Sequence, residues 1–233
     1  MLKIGLTGNI ASGKSEVEKF FIQNGIPVID ADAVNSKLLA ENEQVIEEIK
    51  NAFAGKDIFE SEEWRVESGD NSPPVEGWSE GGLQEKHNST LHSPLFTLSK
   101  KKLADLIFSD RDAKQKLENI LHPQIKQGIN EFFGNHKDSE IVVVSAALLY
   151  EAGWQNMFDK IILVTAPENI RHRRLMTRNN LTAEAAQRML DAQLNDNDKP
   201  ASANYVIHND KDLAKLFSQS SAVLADLDTV NKG

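Results

Sequence analysis

Short runs of apolar, mostly β-branched residues recur along the chain, and stretches long enough to form helices lie between them. These runs are 2–6, 27–30, 141–147, 160–165 and 205–208. Strands that alternate with helices are typical of α/β proteins with a parallel sheet. In the third run, 141–144 is apolar without alternation, so we expect this strand to be covered on both faces and to lie centrally in the sheet.

The stretch 33–140 is too long for a single crossover helix, so we expect it to contain a helical subdomain. Within it, leucines and isoleucines at helical spacing in 98–121 form an apolar stripe. Residues 60–94 are instead rich in Ser, Gly, Pro and acidic residues, with Trp64 and Trp78 isolated among them. We expect this segment to be an exposed insertion. The 233 residues suit a single domain.

A cluster of arginines marks the stretch 168–195, which predicts two helices interrupted near Asn179 and Asn180. The arginines are Arg171, Arg173, Arg174, Arg178 and Arg188. In an acidic chain such a cluster either serves an anion site or pairs with carboxylates on a solvated face. The pattern leaves both interpretations open.

Composition disfavours several classes of function. Hydrophobic residues make up 40% and charged residues 26%, as in globular proteins. The formal net charge of −9 repels nucleic-acid phosphates, so we expect no nucleic-acid partner. The absence of cysteine excludes disulfides, thiolate catalysis and cysteine-ligated metals. We expect no signal peptide. No apolar run approaches the roughly 20 residues of a membrane span, so we expect a cytoplasmic protein without a membrane partner.

The first strand leads into an eight-residue glycine-containing loop, and a helix pattern follows it. The loop is Gly8, Asn9, Ile10, Ala11, Ser12, Gly13, Lys14 and Ser15, which fits G-x-x-x-x-G-K-[ST]. In such a phosphate-binding loop, or P-loop, backbone N–H groups and the helix N-terminus bind nucleotide phosphates. We expect all eight residues to bind the nucleotide, Lys14 to bridge its β- and γ-phosphates and Ser15 to ligate Mg²⁺.

The P-loop predicts a nucleotide but leaves GTPases, ATPase motors and kinases open. The N-K-x-D and D-x-x-G motifs of GTPases are absent, and 209–212 has the right residue types in the wrong order, which we take as coincidence. A small-molecule kinase needs a carboxylate near the acceptor hydroxyl, on the strand beside the P-loop strand.

Asp30 and Asp32 supply carboxylates at the end of the second predicted strand. Strand alternation would place both on the same side, at the carboxyl end of the sheet where ligands bind. Asp30 is then suited to the Mg²⁺ shell, and Asp32 to deprotonating the acceptor as catalytic base. Alternatively, one of the two aspartates only caps the next helix.

Arginines in the segment 168–200 suit a lid over the phosphates. Arg174 and Arg178 are one helical turn apart, so they could reach the same phosphates. We expect Arg178 to stabilise the charge on the transferred phosphoryl group. For Arg171 and Arg173 a solvated face is equally open.

The order of motifs along nearly the whole chain resembles that of the dephospho-CoA kinase family. The P-loop is similar to the family's G-L-T-G-G-I-G-S-G-K-S, and 28–32 matches V-I-D-A-D. Further matches are Leu121-His122-Pro123 to L-H-P, 147–151 to P-L-L-[FV]-E, 174–178 to R-L-x-x-R, and then Gln193, Lys199 and 206–209 in the family's order.

The resemblance implies a nucleotide-kinase-like P-loop NTPase fold: a three-layer α/β/α arrangement with a five-stranded parallel sheet, a helical CoA-side subdomain and an arginine-containing lid. It implies transfer of the ATP γ-phosphate to the ribose 3′-hydroxyl of dephospho-CoA, with Mg²⁺ as cofactor. Asp32 would be the base, Lys14 and Arg178 would stabilise charge, and Arg174 and Asn209 would contact the nucleotide. For the His-Pro pair at 122–123 we favour a structural role, the fixing of a turn at a helix end.

Departures from the family pattern keep two alternatives open. Asn9 and Ala11 replace glycines, and the Cβ of Ala11 narrows the conformations open to the loop. Ser145 stands where many members carry Asp, and Ala147 where they carry Pro. The chain could phosphorylate another acceptor, such as a nucleoside, a nucleotide or shikimate, since shikimate-type enzymes also carry D-x-D. It could also be a non-catalytic paralogue that binds ATP or CoA.

Overall fold

The computed structural model describes residues 1–61, 96–191 and 203–232. A five-stranded, all-parallel sheet lies at its centre, and a separate pair of short strands is antiparallel. The strands are β1 (Leu2–Thr7), β2 (Val28–Asp30), β3 (Phe59–Ser61), β4 (Phe96–Leu98), β5 (Ile141–Ser145), β6 (Lys160–Thr165) and β7 (Tyr205–His208). The predicted parallel sheet of five strands is confirmed.

The order of the strands across the sheet is β2-β5-β1-β6-β7, which corrects two expectations. β5 is an interior strand, but β1 lies in the middle. β2 pairs with β5 and not with the P-loop strand. Apolar patterns identify strands but not their neighbours, because parallel strands are joined by crossovers and consecutive strands need not pair. The carboxyl ends of β1, β5 and β2 therefore lie side by side.

Helices cover both faces of the sheet. They are α1 (Lys14–Gln23), α2 (Ala31–Glu41), α3 (Glu43–Ala52), α4 (Lys100–Ser109), α5 (Arg111–Asn135), α6 (Glu168–Asn179), α7 (Ala183–Asp191) and α8 (Leu213–Lys232), with a 3₁₀ helix at Gln155–Met157. On one face, Ile141 and Val143 of β5 pack with α1 and α8. On the other face, Val142 and Val144 pack with α2 and α5. The unbroken apolar run of β5 thus serves two cores, as predicted for a three-layer α/β/α protein.

The segment between β2 and β5 forms a helical layer on one face of the sheet, where α2 to α5 share an apolar core. The predicted insertion, 60–94, falls mainly in 62–95, outside the described residues, and so do Trp64 and Trp78. Of its first residues, Glu60 lies in β3 and pairs with Thr97 of β4.

The predicted helix over 98–121 is two helices with different bounds. Asp110 ends α4 and caps α5, accepting hydrogen bonds from the N–H groups of Asp112 and Ala113. α5 then continues through Pro123, although proline removes one helical hydrogen bond. Buried residues on both sides of the proline keep the helix on the sheet; they are Leu117, Leu121, Ile125, Ile129 and Phe133. The expectation of a turn at the His-Pro pair is therefore wrong.

The arginine-rich segment forms α6 and α7, which pack on each other through Leu175, Ala186 and Leu190. The interruption is at Asn180, which has a φ of 50°, as predicted. Residues 192–200 of the predicted lid lie outside the described ranges. None of the helices in the described ranges is long and apolar enough to cross a lipid bilayer.

Candidate active site

The P-loop connects β1 to α1. At its two glycines, neighbouring atoms leave no room for a Cβ. Gly13 has a φ of 98°, and a Cβ there would lie 1.9 Å from Nδ2 of Asn209. A Cβ at Gly8 would lie 2.4 Å from the carbonyl oxygen of Val164. Ala11 has a φ of 60°, a left-handed conformation that costs an L-residue about 1–2 kcal/mol. The P-loop therefore contains one strained residue, Ala11.

Arg174 and Asn209 clamp the P-loop to the rest of the domain. Nδ2 of the buried Asn209 donates to the Ser12 carbonyl at 2.7 Å, and its backbone N–H donates to Thr165 at 2.7 Å. The Arg174 guanidinium donates to the carbonyls of Ala11 (3.2 Å) and Ser12 (3.3 Å). It also donates to Oδ1 of Asn209 at 3.1 Å. These hydrogen bonds fix the backbone of the P-loop. Both residues also line the nucleotide cleft.

The ammonium group of Lys14 contacts two oxygen-bearing side chains and approaches a third. Its Nζ donates to Oε1 of Glu18 at 2.8 Å and to Oγ of Ser145, and Ser145 in turn donates to Glu18. Oδ2 of Asp32 lies 4.0 Å from the same Nζ. Lys14 and Glu18 are only 13% and 14% exposed, so their attraction is weakly screened. A polyphosphate that binds Lys14 must compete with Glu18.

Asp30 and Asp32 reach the site by a different route from the one predicted. β2 ends at Asp30, and Asp32 already lies in the first turn of α2, so strand alternation does not relate them. Asp30 is the N-cap of α2, and its carboxylate accepts from the N–H of Asp32 at 2.9 Å. The capping alternative thus holds for Asp30, because an aspartate at this position satisfies a free helix N–H. Both carboxylates still line the nucleotide cleft.

The pKa of Asp32 is raised above the usual value of an aspartate, although 54% of its side chain is exposed. Burial against the cleft walls is the main cause. Lys14 lowers the pKa, and the negative charges of Asp30 and Glu18 raise it. The N–H of Ala147, which donates to Oδ2 at 3.4 Å, lowers it. A carboxylate with a raised pKa is a better general base near neutral pH.

One cleft of about 980 Å³ gathers the predicted nucleotide-binding residues. It is lined by all of 8–15 together with Asp30, Asp32, Arg174, Arg178 and Asn209. Arg178 is exposed there and donates from Nε to Asn179 at 2.8 Å. Arg173 also lines the cleft. Arg171 does not: it is buried and donates to the carbonyl of Ala166, so it does not lie on a solvated face.

The oxygen donors at the cleft fit a magnesium ion. Ser15, Asp30 and Asp32 line the same cleft as the P-loop residues. Mg²⁺ prefers oxygen ligands and binds through one or two carboxylates together with substrate phosphates. This set of donors is therefore suited to a nucleotide-bound ion.

Several residues at the site escaped the sequence analysis. Glu18 is a direct partner of Lys14, and its spacing of four residues on a predicted helix was the available signal. Thr177 lines the cleft. So do Lys211 and Asp212, in the stretch that we took as a coincidence.

A second cavity of about 180 Å³, the inner cavity, adjoins Asp32 on the side of the helical layer. His122 lines it from the interior of α5, and its ring packs edge-on against Trp154 with 5.3 Å between centroids. Burial lowers the pKa of His122, which favours the neutral ring. Asp32 lines both the nucleotide cleft and the inner cavity, so the two spaces adjoin at this residue.

Comparison with known proteins assigns this geometry to a family. The family model described as dephospho-CoA kinase matches residues 2–64 and 83–215. The chain belongs to the dephospho-CoA kinase family. A dephospho-CoA kinase from Listeria monocytogenes serotype 4b is 31% identical over 220 residues, which cover 93% of this chain and 92% of that protein. The dephospho-CoA kinase from Aquifex aeolicus is 30% identical over 227 residues, which cover 97% and 98%.

Solved structures show the same P-loop kinase fold. A dephospho-CoA kinase from Campylobacter jejuni matches with a TM-score of 0.61 and 25% identity, over 98% of each chain. The protein TT1252 from Thermus thermophilus matches with a TM-score of 0.73 and 28% identity, over 97% of each chain. The chain is thus an ATP-dependent kinase of this family. The stretch 65–82, inside the predicted insertion and outside the described ranges, is not matched by the family model.

Proposed function

We propose that this chain transfers the γ-phosphate of ATP to the 3′-hydroxyl of the ribose of dephospho-CoA, giving coenzyme A and ADP. The observation that carries this proposal is the position of Asp32. Asp32 lines both the nucleotide cleft and the inner cavity, and its Oδ2 lies 4.0 Å from Nζ of Lys14 in the P-loop. An acceptor hydroxyl beside Asp32 would face a phosphate held by the P-loop.

The P-loop would bind the polyphosphate of ATP. Its backbone N–H groups and the N-terminus of α1 supply donors and a positive dipole end. On binding ATP, the ammonium group of Lys14 would release Glu18 and Ser145 and contact the β- and γ-phosphates. The ion pair with Glu18 would thus be replaced by an ion pair with the phosphates. The clamp of Arg174 and Asn209 keeps the loop in shape during this exchange.

Ser15 and Asp30 would hold the magnesium ion that accompanies ATP, in company with the phosphates. Bound there, the ion would neutralise charge on the phosphate oxygens. The capping bond of Asp30 to the N–H of Asp32 fixes the direction of that carboxylate.

Asp32 would act as the general base. The proton of the 3′-hydroxyl passes to its carboxylate while the hydroxyl oxygen forms a bond to the γ-phosphorus. The bond from that phosphorus to the oxygen bridging the β-phosphate breaks, and ADP leaves. Such proton transfer contributes about 10²–10⁴-fold to a rate. The raised pKa of Asp32 brings the base closer to neutral pH.

Arg178 would close over the transferred phosphoryl group from α6. It is exposed at the rim of the cleft and paired with Asn179, a neutral neighbour that does not neutralise it. An arginine brought to a transferring phosphoryl group stabilises its equatorial charge. A cytoplasmic location belongs to the same proposal, since a chain without cysteine suits a reducing compartment.

The test is a panel of acceptors offered with Mg-ATP. We expect ADP release with dephospho-CoA, with the new phosphate at the ribose 3′ position by phosphorus NMR of the product. Shikimate, nucleosides and nucleoside monophosphates should give at most background release. Turnover on one of those acceptors without turnover on dephospho-CoA would overturn the proposal, and ATP binding without turnover on any acceptor would favour a non-catalytic paralogue. Lys14→Ala serves as the inactive control.

A further inference from the structure

Glu18 forms a shielded ion pair with Lys14 at the edge of the nucleotide cleft. Its Oε1 accepts a hydrogen bond from Nζ of Lys14 at 2.8 Å, and both side chains are largely buried. The described residues that line the cleft include Lys14 but neither Glu18 nor Ser145. Glu18 therefore acts on a bound nucleotide through Lys14 and not by direct contact.

Ser145 fixes the carboxylate of Glu18. It is fully buried at the end of β5, and its hydroxyl donates to Oε1 of Glu18 while accepting from Nζ of Lys14. The three side chains thus contact one another in a closed triangle that ties α1 to β5. Many members of the family carry an aspartate at 145, whereas here the carboxylate beside this position comes from α1.

The stability of α1 does not account for this ion pair. A lysine followed four residues later by a glutamate is the weaker of the two orders for a pair on a helix. Lys37 and Glu41 of α2 have the same order and spacing, but both are exposed, and 3.9 Å separates Nζ from Oε2. The pair of Lys14 and Glu18 is closer and less accessible to solvent, so its attraction is less screened.

Two carboxylates compete with a nucleotide for Lys14. Oδ2 of Asp32 lies 4.0 Å from Nζ, and more than half of the Asp32 side chain is exposed, so water screens this attraction. Glu18 is the closer and better shielded of the two. A phosphate that takes Lys14 leaves the charge of Glu18 without its partner and close to other negative charges. The charge of Glu18 therefore lowers the affinity for ATP and for ADP alike.

We propose that Glu18, held by Ser145, is a positioning residue for Lys14: it holds the ammonium group beside the cleft before ATP binds and takes it back as ADP leaves. The carboxylate on α1 takes the place of the aspartate that the family pattern has at 145. This inference rests on the part of the proposed function in which Lys14 binds the phosphates. It adds that Glu18 sets the affinity for the nucleotide and the rate at which ADP leaves.

The test measures the binding of ADP and of a non-hydrolysable ATP analogue by calorimetry, with Mg²⁺ and without an acceptor. Glu18→Gln keeps the size of the side chain and an oxygen that accepts from Lys14, but it removes the negative charge. We expect both dissociation constants to fall about three- to tenfold, because the phosphates no longer displace a charged partner. The dissociation rate of a fluorescent ADP analogue, measured by stopped flow, should fall by a similar factor.

Thermal unfolding distinguishes positioning from a purely structural role. Without nucleotide, Glu18→Gln should melt about 2–4 °C below wild type, because Lys14 loses its charged partner in a shielded setting. Saturating ADP should raise the melting temperature of the variant more than that of wild type, since tighter binding stabilises the folded state more. A structural role alone would lower the melting temperature without tightening nucleotide binding.

A second change tests whether the carboxylate can be returned to the strand. When Ser145→Asp is added to Glu18→Gln, the dissociation constants should return to within about twofold of the wild-type values. Ser145→Ala removes the hydroxyl that holds Glu18 and should tighten nucleotide binding by a smaller factor than Glu18→Gln. If Glu18→Gln does not fold, wild-type affinity in Ser145→Ala overturns the inference. Glu41→Gln, in the exposed pair of the same spacing, is the matched control and should behave as wild type.

The outcomes separate this inference from the proposed function. If Lys14→Ala binds nucleotides as tightly as wild type, the proposed role of Lys14 fails, and the inference fails with it. If Lys14→Ala weakens binding but Glu18→Gln binds as wild type does or more weakly, the inference alone is overturned. The same holds if Ser145→Asp does not restore the wild-type constants to Glu18→Gln. Failure to phosphorylate dephospho-CoA would overturn only the proposed function, because no acceptor takes part in these measurements.

Discussion

Two residues that depart from the family pattern, Ala11 and Ala147, change the backbone conformation or the hydrogen bonding at the site. Ala11 occupies a left-handed conformation at a position where the resemblance puts a glycine. Ala147 stands where it puts a proline, and its backbone N–H donates to the Asp32 carboxylate at 3.4 Å. A proline has no N–H to donate. The sequence identified both departures, but it could not predict the bond, because the bond depends on where α2 places Asp32.

Ala11→Gly should stabilise the protein. Glycine removes the cost of the left-handed conformation but adds freedom to the unfolded chain, so the net gain should be about 0.5–1 kcal/mol. Thermal unfolding would show this as a rise of roughly 1–4 °C. Ala222→Gly, at an exposed position within α8, is the matched control and should cost about 1 kcal/mol. Equal losses from both changes would contradict the strain at Ala11.

Glu18→Gln should move the acid limb of the pH profile of kcat/KM to lower pH. Asp32 must be deprotonated to act as a base, so activity is lost as pH falls through its pKa. Because that pKa is raised, the loss should begin at a higher pH than an ordinary aspartate would give. Glu18 contributes to the rise, and its removal also leaves the positive charge of Lys14 without its paired carboxylate beside Asp32.

The matched control for this prediction is Glu47→Gln on α3, whose carboxylate pairs with Lys50 on the surface. Its acid limb should coincide with that of wild type. An acid limb of Glu18→Gln that stays in place, or that moves to higher pH, would show that Asp32 is not the titrating base.

At the scale of elements, the sequence predicted which segments are strands or helices better than it predicted the residues at which they begin and end. Apolar runs identified all five strands of the main sheet, because a strand buried on both faces has few polar positions. The ends depended on single capping side chains: Asp110 divided one predicted helix into two, and Asp30 began α2 where a strand was expected to continue. Proline was a misleading signal at 123, since tertiary burial on both sides outweighed the lost hydrogen bond.

Asn209→Ala should weaken the contacts between the P-loop and the rest of the domain. It removes the bond to Ser12 and one partner of Arg174, in a buried setting. We expect a loss of about 1–3 kcal/mol in the free energy of unfolding by denaturant, and a higher KM for ATP. Asn119→Ala, an exposed asparagine on α5, should change neither quantity by much.

A double-mutant cycle with Arg174→Ala tests whether the two residues act as a unit. The loss in the double variant should be smaller than the sum of the two single losses, because each single change already breaks the shared contact. Additive losses would contradict the clamp.

At the scale of the whole molecule, the site exists because strands distant in sequence end side by side. β5 lies between β1 and β2, which brings Ser145 to Lys14 and places Asp32 across from the P-loop. Strand neighbours cannot be read from apolar patterns, so the P-loop and the aspartates could be identified from sequence while the contact of Lys14 with Ser145 could not. The inner cavity escaped prediction for the same reason, since its walls come from α2, α4, α5 and the connection after β5.

The central claim is that Asp32 readies the acceptor hydroxyl for attack on a nucleotide held by the P-loop. The most direct measurement is the turnover of dephospho-CoA by Asp32→Asn at saturating Mg-ATP, with the affinity for a non-hydrolysable ATP analogue measured by calorimetry. We expect kcat to fall about 10²–10⁴-fold while the affinity stays within about threefold of wild type. Turnover at the wild-type rate with normal nucleotide affinity would contradict the account.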